Sequence, residues 1–133
     1  MHNLSDLQLI SFPQFDSKES VIIIYEGKKK VPFNINRVFV IKSMEQSTRG
    51  NHAHKECSQI LVALNGECKI ICDDGAAKKD IILNKPSESL LIPPTIWAIQ
   101  EYQPNTILMV LADKPYDEND YLRNYEEFIR FRK

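Results

Sequence analysis

Short apolar runs of four to seven residues recur along most of the chain, separated by glycine, proline, asparagine and aspartate. Runs of that length, rich in β-branched residues and bounded by turn formers, predict strands. Val21–Tyr25, Arg37–Ile41, Ser58–Leu64 and Glu67–Cys72 are the clearest. Asp80–Leu83, Ser89–Ile92 and Thr106–Ala112 extend the set. Asn65-Gly66 suits a two-residue hairpin turn, because both residues tolerate positive φ, so Glu67–Cys72 is expected to pair with the strand before it. Cys68, Ile70 and Cys72 then fall on one face, which points to core packing. Asp73-Asp74-Gly75 reads as the next turn, and Pro93-Pro94 should end a strand because proline offers no ladder donor. Seven or eight short strands with regular turns predict a β-sandwich or barrel.

The periodicity changes after residue 119. Tyr121, Leu122, Tyr125, Phe128, Ile129 and Phe131 mostly recur at helical spacing. Asn119 or Asp120 could cap such a helix, and Arg130, Arg132 and Lys133 suit its last turn. An amphipathic helix over about 120–131 is expected, packed on the barrel or on a partner chain.

Composition narrows the function classes. The 133 residues fit one domain of ordinary size, with 43% apolar and 26% charged residues. The formal charge of −1 argues against a dedicated nucleic-acid binder. No run approaches the ~20 apolar residues of a membrane span, and MHNLSDLQLI lacks the pattern of a secretory signal. Cys57, Cys68 and Cys72 have no CxxC spacing and read as reduced thiols of a cytoplasmic protein. Lys28-Lys29-Lys30 reads as a solvated turn.

The chemistry concentrates in R-G-N-H-A-H-K-E, residues 49–56. On a strand His52 and His54 share a face. Two imidazoles that titrate near neutrality suit proton transfer, and they also suit metal binding.

From Gly50 onward the chain reads G-x-H-x-H, four residues, Gln59, six residues, Gly66; Pro93-Pro94-Thr95-Ile96-Trp97-Ala98 follows later. These segments resemble the two motifs of the cupin superfamily of jelly-roll barrels. Metal-dependent cupins supply two histidines and a glutamate from the first motif and a third histidine from the second. Here Gln59 and Ala98 stand at the last two positions. Two neutral imidazoles and an amide are a poor set for a tightly held divalent ion, so no metal and no other cofactor is expected. With only four glycines and no GxGxxG there is no dinucleotide fingerprint either.

A closer resemblance rests on RGNHAHKECSQILVALNGECKIICDDG, PFNINRVF (32–39), Trp97, MVLA (109–112) and YDENDYLRNY (116–125). Together they resemble the nucleotide-sugar 3,4-ketoisomerases, metal-free cupins acting on dTDP-4-keto-6-deoxy-D-glucose. The resemblance implies one all-β jelly-roll domain over residues 1–133 with the short C-terminal helix. It also implies a homodimer with exchanged strands, no nucleic-acid or membrane partner, and products destined for 3-amino-3,6-dideoxy sugars of surface polysaccharides. His54 is implied as the base and His52 as its partner, an order the sequence alone leaves open. Arg49, with its planar guanidinium, is expected to hold the diphosphate, with Arg37 and Lys18 as further cations. Asn51, Gln59, Phe39 and Trp97 complete the expected substrate contacts. Three positions depart from the family: Lys18 replaces an arginine, Phe39 a tyrosine, and Ala98 an occasional histidine. A 3,5-epimerase of a keto-sugar nucleotide and a non-catalytic sugar-nucleotide-binding cupin are the alternative readings of the same scaffold.

Overall fold

A computed structural model describes all 133 residues. The strands in chain order are β1 (Gln8–Ser11), β2 (Gln14–Asp16), β3 (Val21–Ile23), β4 (Arg37–Ser43), β5 (Ser47–His54), β6 (Gln59–Asn65), β7 (Cys68–Asp73), β8 (Lys78–Leu83), β9 (Glu88–Ile92), β10 (Trp97–Tyr102), β11 (Thr106–Ala112) and β12 (Tyr121–Leu122); helix α1 (Tyr125–Arg132) ends the chain. Two antiparallel five-stranded sheets form the body, one ordered β1-β9-β6-β11-β4 and the other β12-β5-β10-β7-β8. Strands successive in sequence repeatedly lie in different sheets, as in a jelly roll. The β2–β3 hairpin stands apart from both sheets.

All seven strands predicted from apolar runs are present, but Asn65-Gly66 does not close a hairpin. β6 pairs with β9 and β11, whereas β7 pairs with β8 and β10. The Asn-Gly turn therefore carries the chain from one sheet to the other. Gly66 has φ +77°, and a Cβ there would lie 2.8 Å from the Thr106 Cα, so the crossing needs glycine. The Asp73-Asp74-Gly75 turn does close a hairpin, β7–β8, with the Asp74 carboxylate accepting from the Ala76 and Ala77 amides.

The interior between the sheets holds Leu61, Ala63, Cys68, Ile70, Cys72, Leu108 and Val110, all essentially buried. The expected cysteine face is thus core. β6 is apolar on both faces because Ile60 and Val62 point outward into a second cluster with Phe12, Val31 and Leu91. The chain between residues 12 and 35 covers that face of the first sheet.

The C-terminal helix is shorter than its periodicity predicts. It starts at Tyr125, capped by the Asn124 side chain on the Glu127 amide. Residues 118–120 form a single 3-10 turn, and Tyr121–Leu122 pair with β5 opposite His54 and Ala53. Sheet pairing and the commitment of Asp120 to β5 outweigh helical propensity at these positions. Phe128, fully buried, packs with Trp97, Leu122 and Ala53 on the outer face of the second sheet.

Candidate active site

The functional side chains are positioned by β4, β5, the first residue of β6 and the segment 116–123. β5 contains a bulge against β10: Ala98 pairs with His52 and Ile99 with Gly50, leaving Asn51 unpaired. Gly50 and Asn51 both have positive φ, +88° and +59°. A Cβ on Gly50 would lie 2.8 Å from the Ala98 carbonyl oxygen. The inserted residue changes which side chains share a face. Arg49 and His52, three apart, both line one cavity of about 570 Å³, where a regular strand would separate them.

That cavity also receives Arg37, Phe39, Gln59 and, from the C-terminal segment, Tyr121 and Arg123. It is rimmed by three guanidinium groups. Arg123 makes a two-point contact with Glu118 at 2.6 and 2.9 Å and lies 4.1 Å over the Tyr121 ring. Arg37 sits between the Phe39 and Tyr116 rings, at 4.5 and 5.0 Å.

His54 lies behind His52, the rings meeting edge-on with centroids 5.2 Å apart. Its Nδ1 bonds to an Asp120 carboxylate oxygen at 2.8 Å. The other carboxylate oxygen accepts from the Glu56 amide. A carboxylate can only accept, so this bond puts a proton on Nδ1 and leaves Nε2 with a bare lone pair. His54 Nε2 and His52 Nδ1 are both buried without a hydrogen-bond partner. Burial, followed by the neighbouring His54, lowers the His52 pKa to about 4. Burial also lowers that of His54, against the raising effect of the Asp120 bond and charge. Both imidazoles are therefore neutral at pH 7 and able to accept a proton.

The structure brings together five expected site residues besides His54: His52, Arg49, Arg37, Gln59 and Phe39 all line the cavity. Three expected contacts lie elsewhere. Trp97 is buried on the opposite face of the second sheet, against Tyr125 and Phe128. Asn51, turned out by the bulge, lines a separate recess beside Trp97. Lys18 is exposed in the turn joining β2 to β3. Sequence reasoning missed Asp120, Tyr121 and Arg123, because helical periodicity absorbed the segment that carries them. No local signal tied them to the histidines, because 66 residues separate Asp120 from His54 along the chain.

The position where the fold family holds a metal does not fit one here. His52, His54, Gln59 and Ala98 surround a recess of only about 10 Å³, with a methyl group in place of the last ligand. Cys57 joins His54 and Asp120 within 4.8 Å, but its thiol is pushed up to about 12 by burial and Asp113. The His54 Nδ1 facing that cluster is already committed to Asp120.

The FdtA family, described as WxcM-like, C-terminal, matches residues 5–133. A TDP-4-oxo-6-deoxy-alpha-D-glucose-3,4-oxoisomerase of Aneurinibacillus thermoaerophilus is 36% identical over 126 residues, covering 93% of this chain and 91% of the relative. The sugar 3,4-ketoisomerase QdtA of Thermoanaerobacterium thermosaccharolyticum, solved in complex with TDP, is 38% identical with a TM-score of 0.93, covering 97% of this chain and 96% of that one. A mutant of QdtA was solved in complex with TDP-4-keto-6-deoxyglucose; it is 37% identical with a TM-score of 0.93, covering 97% of this chain and 95% of that one.

Proposed function

The chain belongs to the FdtA family, and we propose that it is a TDP-sugar 3,4-ketoisomerase that converts TDP-4-keto-6-deoxyglucose to the 3-keto isomer. One observation carries this reading: a neutral imidazole pair, anchored by the partly buried Asp120 carboxylate, stands at the wall of a cavity rimmed by arginines.

The C4 carbonyl acidifies the proton on C3. His52, the imidazole that lines the cavity, removes it to give an enediolate. Return of the proton to C4 completes the shift. His54 Nε2 supports His52 in this transfer, with Asp120 fixing its tautomer and offsetting positive charge on the pair. This assigns the base to His52, reversing the order that the family resemblance implied. The cavity wall favours His52, because His54 borders only small recesses behind it. Arg49 and Arg37 hold the diphosphate, joined by Arg123. No step needs a redox cofactor, since the reaction moves protons and electron pairs within one sugar.

We also propose that the working form is a homodimer. Phe15, Val21 and Ile22 on the β2–β3 hairpin are 62%, 54% and 58% exposed, and Val38 and Val40 on edge strand β4 are each 54% exposed. An apolar hairpin and an apolar sheet edge, both left exposed, suit exchange between two copies, which would cover both. The exchange would carry Lys18 toward the partner's cavity, giving it the cationic role it lacks within its own chain. A cytoplasmic step supplying a 3-keto sugar for amination, on the way to lipopolysaccharide O-antigen, fits this chemistry.

Proton NMR of TDP-4-keto-6-deoxyglucose with the purified protein in D₂O tests the reading. The expected result is a 3-keto product without deuterium at C5. Deuterium at C5 would identify a 3,5-epimerase instead. Nucleotide binding without product or exchange would identify a binding protein. The His52→Asn variant is expected to lose turnover and keep TDP binding.

A further inference from the structure

We infer that Tyr121 is a further catalytic residue, whose phenol carries the hydroxyl proton between the two sugar oxygens. The inference rests on the isomerase reading above. Moving a carbonyl from C4 to C3 shifts two hydrogens, one from C3 to C4 and one from O3 to O4. The imidazole pair accounts for the first. The second needs a group that can both give and take a proton at oxygen.

The protein has five tyrosines. Four already donate their hydroxyl hydrogen: Tyr25 to the Pro86 carbonyl, Tyr102 to Gln100, Tyr116 to Glu118 and Tyr125 to Asp73. Tyr121 does not. Its oxygen accepts from Arg37 Nη1 at 3.5 Å, and its own O–H has no acceptor in the protein. Its ring lies 5.1 Å from that of His52 and 4.5 Å from that of His54, on the wall of the same cavity. Arg37 at the hydroxyl and Arg123 over the ring supply positive charge where a phenolate would form. Phe39, across the cavity wall, has no hydroxyl to offer, and the Thr48 alcohol is a far poorer proton carrier than a phenol.

The steps balance. His52 takes the C3 proton, the C3–H pair forms the C3=C4 bond, and the C4 carbonyl π pair moves to O4. The Tyr121 phenol protonates O4 and, as phenolate, takes the proton from O3. The O3 pair forms the C3 carbonyl, the C3=C4 pair takes the proton from imidazolium at C4, and phenol and imidazole are restored. Nothing else enters or leaves.

The test compares wild type with Tyr121→Phe, which keeps the ring against His54 and Arg123. Isomerisation of TDP-4-keto-6-deoxyglucose, exchange of its C3 proton in D₂O and TDP affinity are measured together. The expected result is a kcat lower by roughly 10²–10³-fold, with KM and TDP affinity within about threefold of wild type. Exchange at C3 should persist at a rate exceeding isomerisation, because the carbon acid–base pair remains. Turnover within about threefold of wild type would overturn the role, as would a loss confined to KM, or exchange and isomerisation falling in step. Wild-type protein without turnover would overturn the isomerase reading and this role with it. A fully active Tyr121→Phe beside active wild type would overturn the role alone.

Discussion

At the scale of single residues, the site depends on one partly buried carboxylate. Asp120 is the only carboxylate bonded to either active-site imidazole, and its second oxygen is fixed by the Glu56 amide. Asp120→Asn keeps the shape but removes the charge that raises the His54 pKa. We expect kcat to fall roughly 10–10²-fold with KM nearly unchanged, measured by steady-state kinetics. The buried histidines also make stability depend on pH. The His52 pKa is about 4 in the folded chain, below its ordinary value of 6.5. Between those values the unfolded chain binds more protons than the folded one, so stability falls as pH falls through that window. For His52 the loss is of order 2–3 kcal/mol between pH 7 and 4, and the lowered His54 adds to it. Urea midpoints across that range check this, and substitution of His52 by asparagine should flatten the dependence. The histidine pair was legible in the sequence because strand alternation places i and i+2 together whatever the fold. Asp120 was not, because its hydrogen bond to His54 spans 66 residues and no local pattern announces it.

At the scale of elements, the β5 bulge decides which side chains reach the cavity. It separates His52 and Arg49 from Asn51, which a reading of the R-G-N-H segment as one site would group together. Gly50 makes the bulge possible through its positive φ and the close approach of the Ala98 carbonyl. Gly50→Ala should therefore destabilise the protein by more than ~1 kcal/mol and reduce turnover, because relief of the clash must displace His52 or β10. Thermal denaturation and activity of the variant check both parts. The other displaced expectation, Trp97, has the same origin. β10 alternates Ala98 and Gln100 toward the interior with Trp97 and Ile99 toward helix α1, so a tryptophan one residue from a site position belongs to a different layer. The helix itself was legible from Tyr125 onward, where its apolar stripe meets Trp97. Its first turn was not, since Tyr121 and Leu122 satisfy strand and helix periodicities equally over so short a span.

At the scale of the whole molecule, the two sheets close a core while some apolar surface remains uncovered. Phe15, Val21, Ile22, Val38 and Val40 leave apolar surface around the hairpin and the β4 edge. We expect light scattering to give twice the chain mass of 15.4 kDa, and the double variant Ile22→Lys, Val38→Lys to shift it toward the monomer. An unchanged monomeric mass in wild type would contradict the exchange and the role it gives Lys18. The sequence by itself determined the strand-rich class, the apolar cores of most strands, the turn positions and the paired imidazoles. Each depends on alternation or turn chemistry within about ten residues. Tertiary structure alone decided that the Asn65-Gly66 turn crosses between sheets and that the bulge sorts Arg49 and His52 from Asn51. It also brought Asp120, Tyr121 and Arg123 to the histidines from the far end of the chain. Those outcomes follow from which strands pair across long stretches of sequence. Pairing is set by the joint burial of two sheets, a property that no single segment carries.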